Sequence, residues 1–134
     1  MNKNWKDIDK LISNSNRIVL STHEKPDGDG LCSGIAFYYY LKNLKKDTRF
    51  IQPSPFPEQY KIIDPDSIVE TYSDDCKSWI ESADLLILFD IGNYKRARNA
   101  SKGPCTAPTE FCKYAIFSQC SSIAHTAIPP TISE

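Results

Sequence analysis

The chain has 134 residues, enough for one ordinary domain and too few for two comfortable ones. Its 16 basic and 17 acidic side chains nearly cancel, so no global field recruits nucleic acid or a membrane surface, and a polyanionic ligand must be caught locally. With 40% hydrophobic and 25% charged residues, the composition is that of a soluble globular chain.

The opening "MNKNWKDIDKLI" lacks the apolar core of a secretory signal, and the longest apolar run, "LLILF" at 85–89, falls far short of a membrane span. A cytoplasmic location is the expectation. Five cysteines, an odd number without a C-x-x-C pair, argue against a disulfide framework and a structural zinc site. Cys32 and Cys76 are expected to be reduced and structural.

Trp5, Ile8, Leu11 and Ile12 share one face of a first amphipathic helix, which "SNSN" ends. Arg17 to Thr22 follows as a strand; its unbroken Ile18, Val19, Leu20 core predicts burial on both faces. Leu31, Ile35, Tyr38 and Leu41 predict a second helix from about Gly30 to Leu44. A short strand is expected at Thr48 to Gln52, then an extended loop stiffened by Pro53, Pro55 and Pro57. "SIVETYS" reads as a further short strand, "DDCKSWIES" as a helical turn or two, and "ADLLILFD" at 83–90 as a second buried strand.

Strand and helix in alternation predict an α/β fold with a parallel sheet flanked by helices. Right-handed crossovers gather the carboxyl ends of the strands on one edge, where open α/β sheets bind ligands. If the two apolar strands are neighbours, His23, Asp27 and Asp29 line that edge beside Asp90.

Carboxylate oxygens and an imidazole nitrogen suit manganese, magnesium or iron better than thiolate-rich sites do. In "HEKPDGD" the proline stiffens the turn, and Gly28 is expected to bend the backbone so that Asp27 and Asp29 reach one centre. Two cations bridged by a carboxylate clamp a phosphoryl oxygen and activate a water. Unpaired amides at the start of the following helix favour anions nearby. The plain alternative is a turn in which Asp29 merely caps the helix. Capping accounts for one acid and leaves His23, Asp27 and Asp90 without a reason.

"VLSTHEKPDGDGLCSGIAFYYYLK" resembles the first motif of the DHH phosphoesterase family, His-x-x-Pro-Asp-Gly-Asp followed by a serine-containing helix start, and "DLLILFDIGNYKRA" resembles its second. The likeness spans about residues 1–98 and is nearest the nanoRNase and phosphoadenosine-phosphate phosphatase branch. It implies a two-manganese phosphoesterase acting on short oligonucleotides or nucleotide phosphates. His23 and Asp27 would then bind one manganese, Asp29 the other, and Asp90 would bridge them, making Asp27, Asp29 and Asp90 catalytic. Ser33 falls at the family's small polar position and is carried over as substrate-binding. Asn93 stands where the family often has a further aspartate.

Arg96, with Lys95 and Arg98 in "NYKRARNA", is a candidate phosphate contact or simply solvated surface. The Asp-His-His motif that names the family is absent; the other histidine, His125, has neither companion. Residues 100–134 hold 4 of the 33 charged residues yet 3 of the 5 cysteines and 4 of the 9 prolines. The expectation is a partial DHH domain at 1–98 and an irregular tail at 99–134, unrelated through frameshift or truncation, with weak or no activity. The rival readings are a non-catalytic remnant and a small α/β interaction module.

Overall fold

The computed structural model describes residues 5–90 and two further strand segments, Tyr114–Ser118 and Thr126–Ile128. Helix α1, Trp5–Asn14, leads into strand β1, Arg17–Thr22; helix α2, Gly28–Asn43, is followed by β2, Asp47–Gln52. A 3-10 turn at Glu58–Ile63 precedes β3, Val69–Thr71, and a short helix α3, Lys77–Glu81, precedes β4, Leu85–Phe89. Strands β5, Tyr114–Ser118, and β6, Thr126–Ile128, complete a six-stranded sheet ordered β3-β2-β1-β4-β5-β6. All neighbours pair in parallel except β5 with β6. The fold is α/β, as the sequence predicts.

Strands β5 and β6 fall within residues 99–134, where the sequence sustains neither strand nor helix periodicity, and β5 pairs along its whole length with β4, from Leu85↔Tyr114 to Phe89↔Ser118.

Side chains along β1, β2 and β4 alternate between two cores. Ile18, Leu20, Phe50, Leu85, Ile87 and Phe89 pack against Ile8 and Ile12 of α1 and Leu31, Ile35 and Leu41 of α2. Val19, Ile51, Leu86 and Leu88 face the other way, with Cys76, Ile80 and Ala83. Covering both faces explains why β1 and β4 read as unbroken apolar runs. Cys76 lies buried in the second core as a free thiol, and Cys32 is free and exposed on α2.

The approach of α2 to the sheet depends on a missing side chain. A Cβ on Gly34 would lie 2.4 Å from Cε1 of Phe50, whose ring is wholly buried.

At the amino edge, Oδ2 of Asp84 accepts the backbone N–H groups of Asn16 at 2.9 Å and Arg17 at 3.1 Å. Those two bonds tie the start of β1 to the residue preceding β4 and so fix their register, Ile18↔Leu85 through Thr22↔Phe89. The residues leaving the two strands at the opposite edge, His23 and Asp90, are thereby brought side by side.

On the exposed side of α2 the Tyr39 hydroxyl donates to Asp66, and that bond, the largest cause, pushes the tyrosine up to about 12 from 10.0. A raised folded value means that the bond's contribution is complete below pH 10 and disappears as pH climbs through about 12. An ultraviolet titration should show a late-ionising phase that Tyr39→Phe removes.

Candidate metal centre

The sheet order places the start of two opposite crossovers at β1 and β4. From β1 the chain moves through α2 to β2 on one side of the sheet, and from β4 it goes on to the parallel strand β5 on the other side. The crevice outside the carboxyl ends of β1 and β4 is therefore a topological switch point, where open α/β sheets leave room for a ligand.

Three side chains converge there. His23 follows β1, Asp27 caps α2 and Asp90 follows β4, and each offers one ligand atom within 4.8 Å of the others. The His23 Nε2 stands 3.4 Å from Oδ2 of Asp90 and 4.0 Å from Oδ1 of Asp27. On the other side of the ring, Nδ1 lies 2.9 Å from the Glu24 carbonyl oxygen. A carbonyl only accepts, so Nδ1 is the donor of this bond, and the ring is held with Nε2 facing the carboxylates. Three acceptors facing one point repel one another unless a proton or cation lies between them. The donor set of one imidazole and two carboxylates fits a divalent cation of the manganese, iron or magnesium type.

Local backbone geometry builds this cluster. Asp27 is extended, at φ −93° and ψ 177°, and its Oδ1 accepts the Gly30 N–H at 3.1 Å, a helix cap that also holds the carboxylate in place. Pro26 is buried, and the Lys25 N–H donates to the Ser54 hydroxyl at 3.0 Å, so the loop is fastened to the segment following β2. Lys25 and Asp90 both have left-handed backbones, φ 53° and 55°. Aspartate enters this region more readily than most residues, still at some cost, and such conformations gather at functional sites.

The remaining candidates fall elsewhere. Helix α2 starts two residues earlier than the periodicity predicts, at Gly28 rather than Gly30, and Asp29 becomes part of its first turn. There Asp29 is exposed and outside the three-residue cluster, so the expected sharp bend at Gly28 uniting both aspartates is replaced by a cap at Asp27 and a helix at Gly28. The capping role suggested for Asp29 belongs to Asp27. Ser33 lies half-buried one turn further along α2. Arg96, with Lys95, Arg98 and Asn93, lies outside the described residues.

The DHH family, N-terminal domain, matches residues 17–107 of this sequence. The chain belongs to the DHH family. The match takes in both motifs and continues past residue 98, where the change of composition suggested an end to the family-like segment. No curated protein matches the chain in sequence. An exopolyphosphatase-related protein from Bacteroides fragilis shares the fold, with a TM-score of 0.66 at 22% identity over 84% of this chain. This DHH chain spans 37% of the length of that protein. Among the described residues, no helix of the DHH chain is long and apolar enough to cross a membrane.

The motif reading passed over Thr22 and Gly30. A Cβ on Gly30 would sit 2.6 Å from Oγ1 of Thr22 and 3.5 Å from Cβ of Asp90, so α2 enters the site at nearly bare backbone. The signal was available in the fourth residue of "DGDG", where a small side chain directly precedes the apolar face of the helix.

Proposed function

We propose that this chain carries the metal-binding part of a manganese-dependent phosphoesterase acting on short oligonucleotides or nucleotide phosphates. The observation that supports it most directly is the convergence of His23, Asp27 and Asp90, from two chain segments far apart in sequence, at the carboxyl edge of a parallel sheet. Family membership supports phosphoester chemistry. The name of the Bacteroides protein adds phosphoanhydrides to the substrates worth testing.

His23, Asp27 and Asp90 would hold the first cation, with Asp90 shared; Asp29, in the first turn of α2, is proposed for the second. A divalent cation at such a site polarises a phosphoryl oxygen and lowers the pKa of a coordinated water. The protein's own contribution is orientation. The Glu24 carbonyl holds the His23 ring with Nε2 facing inward, and the Gly30 N–H restrains Asp27. Amides in the first turn of α2, Ser33 and Arg96 are the proposed phosphate contacts. With no Asp-His-His segment in the sequence, hydrolysis by this chain alone is proposed to be slow.

The discriminating experiment follows manganese-dependent release of product from a dinucleotide, a nucleoside bisphosphate and tripolyphosphate. Turnover that persists in Asp27→Ala and Asp90→Ala would refute the assignment. Binding is tested separately. A cation that binds only the folded state at 100 times its Kd adds about 2.7 kcal/mol, which for a domain of this size raises Tm by roughly 5–10 °C. Saturating Mn2+ should produce that rise and EDTA should reverse it; an unchanged Tm favours the interaction module, in which Asp27 does no more than cap α2.

A further inference from the structure

We infer that Thr22 is the positioning residue for Asp90, its buried hydroxyl setting the direction in which the carboxylate leaves β4; the functional weight of this rests on the metal centre proposed above. Thr22 is wholly buried, and its Oγ1 donates to the Phe89 carbonyl at 3.2 Å. Thr22 and Phe89 are register partners on the last rung between β1 and β4. The residues immediately after them are His23 and Asp90, which face each other at 3.4 Å. The hydroxyl bond is thus an additional tie directly beneath the two ligands, at the point where the ladder ends.

Its leverage comes from peptide planarity. The Phe89 carbonyl lies in the same rigid plane as the Asp90 nitrogen, so anchoring that oxygen fixes the plane about which Asp90 turns. Asp90 turns by a left-handed φ of 55°, a conformation that the chain abandons unless its surroundings hold it. Threonine suits the task because its branched side chain has few rotamers. A buried hydroxyl also costs free energy unless bonded, so packing alone would be served as well by valine. Gly30 closes the arrangement from the helix side: a methyl there would press on Oγ1 of Thr22 at 2.6 Å and reach Cβ of Asp90 at 3.5 Å. Helix α2, which presents Asp27, and strand β4, which presents Asp90, therefore meet at one threonine.

The test compares Thr22→Val, which keeps the shape and loses the donor, with Thr22→Ser, which keeps the donor. In crystal structures of the metal-free proteins, Thr22→Val should release Asp90 from its left-handed backbone and separate it from His23 Nε2, whereas Thr22→Ser should retain both. By isothermal titration with Mn2+ alone, Thr22→Val should bind about tenfold more weakly, as when a group supporting a metal ligand is lost. Thr22→Ser should bind close to the parent value. Gly30→Ala, which crowds the same hydroxyl from the opposite side, should weaken Mn2+ similarly and serves if Thr22→Val does not fold. Parent-like Asp90 geometry and parent-like affinity in Thr22→Val overturn the inference. If the parent protein itself ignores Mn2+, the metal centre fails, and the position of Asp90 in the two crystal structures still decides the role of Thr22.

Discussion

Replacing Asp90 with asparagine is expected to weaken Mn2+ binding by more than about 100-fold, beyond the effect of losing a supporting group, while metal-free stability stays within about 1 kcal/mol of the parent. Asparagine matches aspartate in volume and enters left-handed backbone with similar ease, so the φ of 55° at the end of β4 survives. What disappears is the negative charge that faces His23 Nε2 and would offset a cation. Asp90→Val supplies the converse. A β-branched side chain in that region costs about 1–3 kcal/mol, so this variant should lose stability as well as affinity. Titration calorimetry and urea denaturation in EDTA read the two effects independently. Asp90→Asn binding Mn2+ as tightly as the parent would remove Asp90 from the ligand set.

Strands β1 and β4 were legible in the sequence because burial on both faces leaves an unbroken aliphatic run, and an acid or histidine at the end of such a run stands out. "RIVLST" matches β1 residue for residue. The start of α2 was less legible, since its apolar periodicity begins only at Leu31 while the helix itself begins at Gly28. Those two or three residues decide the fate of Asp29. Positions two apart near a helix start project in different directions, so Asp27 joins the cluster and Asp29 remains exposed outside it. Strands β5 and β6 were missed for another reason. "YAIFS" and "TAI" are short segments among serine, threonine and cysteine, and what marks them as strands is pairing with β4 and with each other, which local pattern does not carry. Thr22 and Gly30 illustrate the same limit within the site, because their roles exist only once β1, β4 and α2 are side by side.

Gly34→Ala should produce the opposite signature to Asp90→Asn, losing stability and keeping the metal. A methyl at this position meets Cε1 of Phe50 at 2.4 Å and Cζ at 2.5 Å, and Phe50 is enclosed by the core beneath α2. Overpacking of this kind costs about 1–3 kcal/mol, offset by roughly 1 kcal/mol from the better helix propensity of alanine, so a net loss of up to about 2 kcal/mol is expected. Gly34→Val adds a second branch against the same ring and should lose more. The contact lies in the second turn of α2 and against β2, whereas the proposed ligands leave from β1, β4 and the helix cap. Mn2+ affinity of the folded fraction should therefore change little. Phe50→Leu shortens the opposing side chain and should be less harmful in the Gly34→Ala background than in the parent, with a coupling of about 1 kcal/mol between the two sites. Strict additivity of the pair in urea denaturation would show that α2 has room to move away from the sheet, and that glycine is dispensable to its close packing on β2.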